Sequence, residues 1–123
     1  MANKKILIIE DEKQLVEMLK MRLEKEGYSV IVSYDGRDGL EKARTEKPGL
    51  VILDLMLPIM DGYKVCALLK KDSRYSKIPI VMFTAKAQDS DRELGMEMGA
   101  DAYITKPFDA PVLLAKIREF IKD

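Results

Sequence analysis

The sequence predicts an α/β domain in which a doubly wound parallel sheet is covered by helices on both faces. Three observations predict it. Five short apolar runs, rich in Ile, Val and Leu, alternate with longer segments of helical period. The runs lack the polar–apolar alternation of a half-exposed strand, so they indicate strands that are buried on both faces. Gly and Pro residues fall between these elements, where strands and helices are expected to end.

The predicted strands are the apolar runs at residues 6–9, 30–32, 50–53, 80–83 and 102–104. Three helical segments carry apolar stripes: two repeat every four residues, and the third has apolar residues three and four positions after its first, which is the spacing of one helix face. Their stripes are Leu15, Leu19 and Leu23; Val65, Leu68 and Leu69; and Leu113, Ile117 and Ile121. Weaker helical segments near residues 36–46 and 90–98 complete the alternation.

Five strand–helix repeats predict a single domain over residues 1–123, with a flavodoxin-like (βα)5 topology. The usual strand order for such a sheet is 2-1-3-4-5, with right-handed crossovers. This order places the topological switch point between strands 1 and 3. Ligands of doubly wound sheets bind beside that point, at the carboxyl ends of the strands.

Carboxylates follow both of the strands that flank the switch point. Glu10, Asp11 and Glu12 end the first apolar run, and Asp54 ends the third. Neighbouring parallel strands would bring these charges into one pocket, which is unfavourable unless a cation lies among them. Carboxylate oxygens are ligands that Mg²⁺ prefers. The sequence therefore predicts a magnesium site with a carboxylate that could itself react.

Two further residues complete a cradle for a phosphoryl group. Thr84 ends the fourth strand and Lys106 follows the fifth, so both are expected at the same edge of the sheet as Asp11 and Asp54. A hydroxyl and an ammonium can hold anionic oxygens while an aspartate accepts the phosphorus. Taken singly, each residue has an ordinary interpretation as a turn residue, a strand end or a surface lysine. Their coincidence at one edge favours a functional site.

Composition excludes several other classes of function. Lys+Arg and Asp+Glu balance at 21 each, so no overall charge favours nucleic acid or a membrane surface. The absence of His excludes a histidine general base and histidine metal ligands. Cys66 is the only cysteine and is expected in the core, which suits a reducing compartment. No signal peptide or membrane span is predicted, so we expect a cytoplasmic protein.

Four segments carry a resemblance to a known family: ILIIEDE at 6–12, LVILDLMLPIMDG at 50–62, PIVMFTA at 79–85 and GADAYITKPF at 99–108. With them the chain resembles a response-regulator receiver domain, the chemotaxis-regulator-like module of two-component signalling. The resemblance covers about residues 5–123. It rests on several motifs together and not on one short pattern.

The resemblance implies a phosphorylation site and its metal ligands. Asp54 would be phosphorylated by a sensor histidine kinase or a phosphotransfer protein. Asp11 and Asp54 would bind Mg²⁺ through their side chains, the Met56 backbone carbonyl would be a further ligand, and Glu10 would act through water. Glu10 stands where the family often has Asp, and its longer side chain is expected to alter metal affinity slightly.

The resemblance also implies a conformational switch. Thr84 would move towards the phosphoryl oxygens, Lys106 would pair with them, and Tyr103 would turn inward behind Thr84. Without the resemblance, Tyr103 would be interpreted as an aromatic residue that covers apolar surface. The Lys106-Pro107 bond would be cis and would direct Lys106 into the pocket. Met56 and Lys86 would tune the lifetime of the phosphorylated state.

The expected output is a change of the surface at roughly residues 90–123, formed by the fourth predicted helix, strand 5 and the fifth helix. This surface would control binding to a downstream protein or an output domain, which the sequence does not identify. Phosphorylation-dependent homodimerisation through it is left open. Whether the chain is a complete regulator or the receiver of a larger protein is open as well.

Three alternative functions fit the sequence less well. A magnesium-dependent phosphatase would generally need a second acid two residues after its nucleophile, where this chain has Met56. It would also need a cap or a larger substrate pocket, for which a chain of 123 residues is not expected to have spare length. A nucleotide or flavin carrier would need a phosphate-binding loop after strand 1, where Glu10, Asp11 and Glu12 would repel phosphate. A degenerate receiver would lack part of the reactive set. We therefore expect a switch that catalyses only its own phosphorylation and dephosphorylation.

Overall fold

The structure is a computed structural model that describes residues 3–85 and 96–122. Within these residues the elements occur in the order β1 (Lys5–Ile9), α1 (Lys13–Lys25), β2 (Ser29–Ser33), α2 (Gly36–Glu46), β3 (Leu50–Leu53), α3 (Gly62–Lys70), β4 (Ile80–Thr84), β5 (Ala102–Thr105) and a C-terminal helix (Ala110–Phe120). The strands form one parallel sheet in the order β2-β1-β3-β4-β5. The predicted fold class and strand order are confirmed.

The predicted elements differ from the observed ones mainly at their ends. Four of the five strands are one or two residues longer than the apolar runs that predicted them, because polar residues at the strand ends also join the ladder. Ile121 lies just beyond the C-terminal helix, at its C-cap, although it remains buried. The helix predicted near residues 90–98 falls largely outside the described residues. No helix in the described part of the chain has the length and apolar character that a bilayer crossing requires.

The sheet separates two apolar cores because successive strand residues point to opposite faces. On one face, α1 and the C-terminal helix pack on Ile6, Ile8 and Phe83. On the other face, α2 and α3 pack on Leu7, Ile9 and Met82. All of these strand side chains are fully buried. The continuous apolar runs of the sequence are thus explained by helices on both faces.

Among the described residues, three helices begin at an aspartate that caps them. The side chains of Asp35, Asp61 and Asp109 accept hydrogen bonds from backbone N–H groups in the first turns of α2, α3 and the C-terminal helix. Each cap satisfies one of the N–H groups that have no partner within the helix. These aspartates therefore fix where the helices start, and none of them belongs to the acidic group at the ends of β1 and β3.

The loop between β3 and α3 folds tightly against the end of β3. The Gly62 N–H group donates to the Leu55 carbonyl at 2.9 Å. A Cβ atom on Gly62 would lie 2.1 Å from the Asp54 carbonyl oxygen, so only glycine allows this approach. Because of this contact, the start of α3 helps to fix the backbone of Asp54.

Ile59 occupies a strained position in the same loop. Its φ is 72°, in the left-handed region that β-branched residues rarely adopt, and its side chain is 70% exposed. The apolar side chain therefore gains little burial in return for the backbone strain.

Replacing Ile59 with Gly should stabilise the protein by about 1 kcal/mol, because the relief of strain exceeds the entropy that glycine adds to the unfolded chain. Urea denaturation at neutral pH measures this difference. Met56 offers a matched control, since it lies in the same loop, is also exposed and does not have a positive φ. Met56→Gly should destabilise the protein slightly, and an equal loss for both variants would contradict the assignment of strain to Ile59.

Candidate functional site

Three carboxylates converge where β1 and β3 end. Ile9 pairs with Leu53 across these strands, so the residues that follow them are neighbours. One oxygen from each of Glu10, Asp11 and Asp54 lies within 4.8 Å of the others. We call this group the acidic crevice. The predicted convergence of these side chains is therefore present in the structure.

Backbone hydrogen bonds fix two sides of the acidic crevice. The Asp54 N–H group donates to the Ile9 carbonyl at 3.0 Å, and the Glu10 N–H group donates to Ser33 on β2 at 3.0 Å. The carboxylates also receive local bonds: the Glu12 N–H group donates to Glu10 Oε2 at 3.1 Å, and the Met56 N–H group donates to the Asp54 carboxylate. Glu10 and Asp54 are almost fully buried, whereas Asp11 is exposed.

Lys106 supplies the positive charge beside the acidic crevice. Its Nζ contacts Glu10 Oε1 and lies 3.5 Å from Asp54 Oδ2. Its backbone N–H group donates to the Thr84 carbonyl at 2.9 Å, which joins the end of β5 to that of β4. The Lys106-Pro107 peptide bond is cis. The sequence interpretation assigned Lys106 to phosphoryl oxygens, and here the same ammonium is shared between two carboxylates.

Burial and charge shift the protonation of all three partners. Burial raises the pKa of Glu10 to about 6, although the Lys106 ammonium and the Glu12 N–H group act in the opposite direction. Burial likewise raises the pKa of Asp54, against the opposing effect of Lys106. For Lys106, burial would lower the pKa, but the Glu10 and Asp54 carboxylates raise it above its ordinary value. Two buried acids thus share one cation, and their negative charge is only partly balanced.

The acidic crevice fits a divalent cation. Mg²⁺ is a hard cation that takes oxygen ligands and is commonly held by one or two carboxylates together with water. Asp54 and Glu10 offer buried oxygens, and exposed Asp11 leaves the third side of the group open to solvent. The raised pKa values of Glu10 and Asp54 indicate that additional positive charge would be favourable here.

The remaining predicted site residues surround the crevice at different depths. Thr84 is fully buried at the end of β4 and pairs with Thr105 across the sheet. Met56 is 62% exposed, so its side chain lies at the protein surface beside Asp54. Tyr103 is half-buried on β5 and packs on the core beneath α2 and α3. Lys86 lies outside the described residues.

Sequence reasoning did not identify two contacts of Lys106. The first is its ion pair with Glu10. The resemblance implies instead that Glu10 acts on Mg²⁺ through water. The second is the ring of Phe83, whose centroid is 5.4 Å from Lys106 Nζ. Phe83 directly precedes Thr84, but its apolar character is fully explained by strand burial, so the sequence carried no signal for this contact.

Comparison with known proteins identifies the family. The profile of the response regulator receiver domain matches residues 6–118. The chain belongs to this family. It is 46% identical over 122 residues to the alkaline phosphatase synthesis transcriptional regulatory protein PhoP of Bacillus subtilis (strain 168), covering 98% of this chain and 49% of PhoP. The receiver domain thus spans about half the length of this relative, and its extent as a single domain over residues 1–123 stays a prediction.

Solved structures of receiver domains share the fold. A putative response regulator from Chloroflexus aurantiacus superposes with a TM-score of 0.90 at 31% identity, covering 95% of this chain and 96% of the other. A CheY-like receiver domain protein from Methanospirillum hungatei has a TM-score of 0.88 at 34% identity, with 94% and 91% covered. The receiver domain of the Pseudomonas aeruginosa sensor histidine kinase PA1611 has a TM-score of 0.88 at 27% identity, with 97% and 98% covered. That structure has a magnesium ion in its active site cleft.

As a receiver domain of a two-component response regulator, this chain is a signalling domain. Membership in the family implies interaction with a histidine kinase or a phosphotransfer partner. The carboxylates of Glu10, Asp11 and Asp54 form an acidic group that could bind Mg²⁺.

Asp54→Asn should stabilise the metal-free protein at pH 7 by on the order of 1 kcal/mol, because it removes a buried charge that Lys106 only partly balances. Since the pKa of Asp54 is raised in the folded state, this gain should shrink as the pH falls towards the ordinary aspartate range. Urea denaturation in a chelator measures it. Asp35→Asn is the control, because asparagine caps α2 equally well and should change stability little. A destabilised Asp54→Asn variant would contradict this account.

Mg²⁺ binding should weaken in acid, because the cation must compete with a proton on Glu10. With the Glu10 pKa at about 6, competition with one proton makes the apparent Kd roughly tenfold larger at pH 5 than at pH 7.5. Calorimetric titration with MgCl₂ across this range checks the effect. The Glu10→Gln variant should bind more weakly at pH 7.5 and show a flatter pH dependence. An affinity that does not change with pH in the wild type would exclude Glu10 from the site.

Proposed function

We propose that Asp54 is the phosphoacceptor of this receiver domain and takes its phosphoryl group from a phosphohistidine on a sensor histidine kinase or phosphotransfer protein. The observation that carries the proposal is the position of the Asp54 carboxylate. It is buried at the end of β3, beside two further carboxylates and 3.5 Å from the Lys106 ammonium. A nucleophile, an acidic cation site and a fixed positive charge therefore lie in one crevice.

The chain's own residues supply most of what phosphoryl transfer requires, which is positioning and charge balance. The Asp54 carboxylate forms the new bond to phosphorus while the bond to the donor nitrogen breaks, which gives an acyl phosphate. Backbone bonds to Ile9 and Met56 hold Asp54 in place during this step. Mg²⁺ would be held by Asp11, Asp54 and the Met56 carbonyl and, through water, by Glu10, and when bound it would supply positive charge beside the transferred group.

Lys106 and Thr84 are proposed to bind the new phosphoryl oxygens. Lys106 is already in the crevice, so it needs only to exchange its contact with Glu10 for one with the phosphoryl group. Thr84 ends the adjacent strand, and its backbone carbonyl already binds Lys106. Contacts that exist only in the phosphorylated state supply the free energy that shifts a conformational equilibrium.

The output is proposed to be a conformational change of the surface at the β5 edge of the sheet, beside the C-terminal helix. Tyr103 lines a pocket beside β5 and the C-terminal helix, together with Ile104, Val112 and Lys116. An inward turn of Tyr103 would alter this pocket and so the binding of a downstream protein, an output domain or a second receiver. The fourth predicted helix belongs to the same proposed surface but lies outside the described residues.

We place this switch in the cytoplasm. The free, buried Cys66 supports a reducing compartment. Burial raises the pKa of its thiol to about 11, which indicates a packing residue and not a reactive one. The proposed activity is limited to the protein's own phosphorylation and dephosphorylation.

Incubation with acetyl phosphate should add one phosphoryl group to the wild-type chain, and only when Mg²⁺ is present. Asp54→Asn should abolish the adduct, because an amide cannot form an acyl phosphate. Intact-mass spectrometry at neutral pH measures both. Asp61→Asn is the matched control, since Asp61 lies seven positions further along the chain, its side chain caps α3, and asparagine caps a helix equally well.

The other outcomes are also informative. An adduct that persists in Asp54→Asn would identify a different acceptor. A wild-type chain that is folded and binds Mg²⁺, yet accepts no phosphoryl group from acetyl phosphate or from a phosphorylated histidine kinase, would contradict the proposed function.

A further inference from the structure

The Lys106 ammonium is bounded by an aromatic ring as well as by carboxylates. Its Nζ lies 5.4 Å from the centroid of the Phe83 ring, within the range of a cation–π interaction. Phe83 is fully buried in β4, and the Lys106 side chain is 17% exposed. Such contacts become stronger when water is largely excluded from them.

A second ring holds Phe83 in place. The Phe108 ring lies 6.3 Å from the Phe83 ring at an interplanar angle of 68°, which is the favourable edge-to-face arrangement. Phe108 follows Lys106 by two residues and packs on the core beneath α1 and the C-terminal helix. The segment that carries Lys106 therefore also carries Phe108, which supports the Phe83 ring.

The ring differs from the other partners of Lys106 in one chemical respect. Glu10 and Asp54 are charged groups whose interactions change when a cation binds or when Asp54 becomes an acyl phosphate. The face of Phe83 keeps its electrostatic character through both events. A lysine has a flexible side chain with several rotamers, and one partner that does not change limits how far its ammonium can move.

We propose that Phe83 is a positioning residue for Lys106, which keeps the ammonium in the acidic crevice while its carboxylate partners change, and that Phe108 supports Phe83 in this role. This inference rests on the proposed phosphorylation of Asp54. Burial in a strand requires only that residue 83 be apolar, whereas this role requires an aromatic ring.

Fluorinated phenylalanines, incorporated only at position 83, test the role of the ring face. Added fluorine atoms weaken the negative potential of the ring and change its shape little. The rate of Mg²⁺-dependent phosphorylation by acetyl phosphate should fall step by step along the series, by about two- to fivefold in total. The melting temperature should stay nearly constant. The same series at Phe120, which packs on the same core, is the control and should leave the rate unchanged.

Two further variants remove one ring each. Phe83→Leu should slow phosphorylation at least as much as the most fluorinated ring, and Phe108→Leu should slow it less. A rate that is constant along the fluorinated series, in a protein of unchanged melting temperature, would overturn the proposal and leave Phe83 as a core residue.

The NMR spectrum of the metal-free protein tests the contact without any phosphoryl transfer. The Lys106 side-chain protons next to Nζ should show an upfield ring-current shift that disappears in Phe83→Leu. A shift that persists in this variant would overturn the proposal. If the wild type shows the shift but accepts no phosphoryl group, the proposed phosphorylation of Asp54 fails while the placement of Lys106 on the ring stands.

Discussion

The parallel pairing of β1 with β3 is the constraint on which the site depends. Because the two strands end in register, Glu10 and Asp54 must share the same edge of the sheet with Asp11. Like charges this close are unfavourable, and burial makes them more so. The fold thus concentrates negative charge in the acidic crevice. This charge is reduced or balanced by the binding of a cation, by the ion pair with Lys106 and by the protonation of Glu10.

Lys106 has a different role in the metal-free protein from the one that the phosphorylated state is proposed to require. Its contact with Glu10 balances part of the negative charge of the crevice. A cation that neutralises the carboxylates would release the ammonium for the phosphoryl oxygens. The same side chain can therefore serve both states without a large movement, provided that something other than the carboxylates limits its position. Phe83 is suited to this because its ring carries no net charge and is held by Phe108.

The backbone around Asp54 is fixed by contacts that only small or strained residues permit. Gly62 lets the start of α3 approach the Asp54 carbonyl, and Ile59 accepts a left-handed conformation in the connecting loop. Strain in such a loop is tolerated where the surrounding structure determines the backbone strongly. In this receiver domain, the loop that follows Asp54 is held by two neighbouring elements, the end of β3 and α3.

The sequence by itself determined the fold class, the strand order and the three carboxylates of the site. Buried parallel strands leave a strong signal in continuous apolar runs, and the residues that follow those runs are placed by topology alone, as Glu10 and Asp54 were. The roles of Met56, Thr84 and Tyr103 stay predictions, because they concern the metal-bound and phosphorylated states. Only the tertiary structure showed that the Lys106 ammonium contacts Glu10 and the Phe83 ring as well as Asp54. These contacts depend on side-chain packing between residues far apart in the chain. A buried apolar residue such as Phe83 gives the same hydrophobic pattern in the sequence whether its ring contacts only the core or also an ammonium.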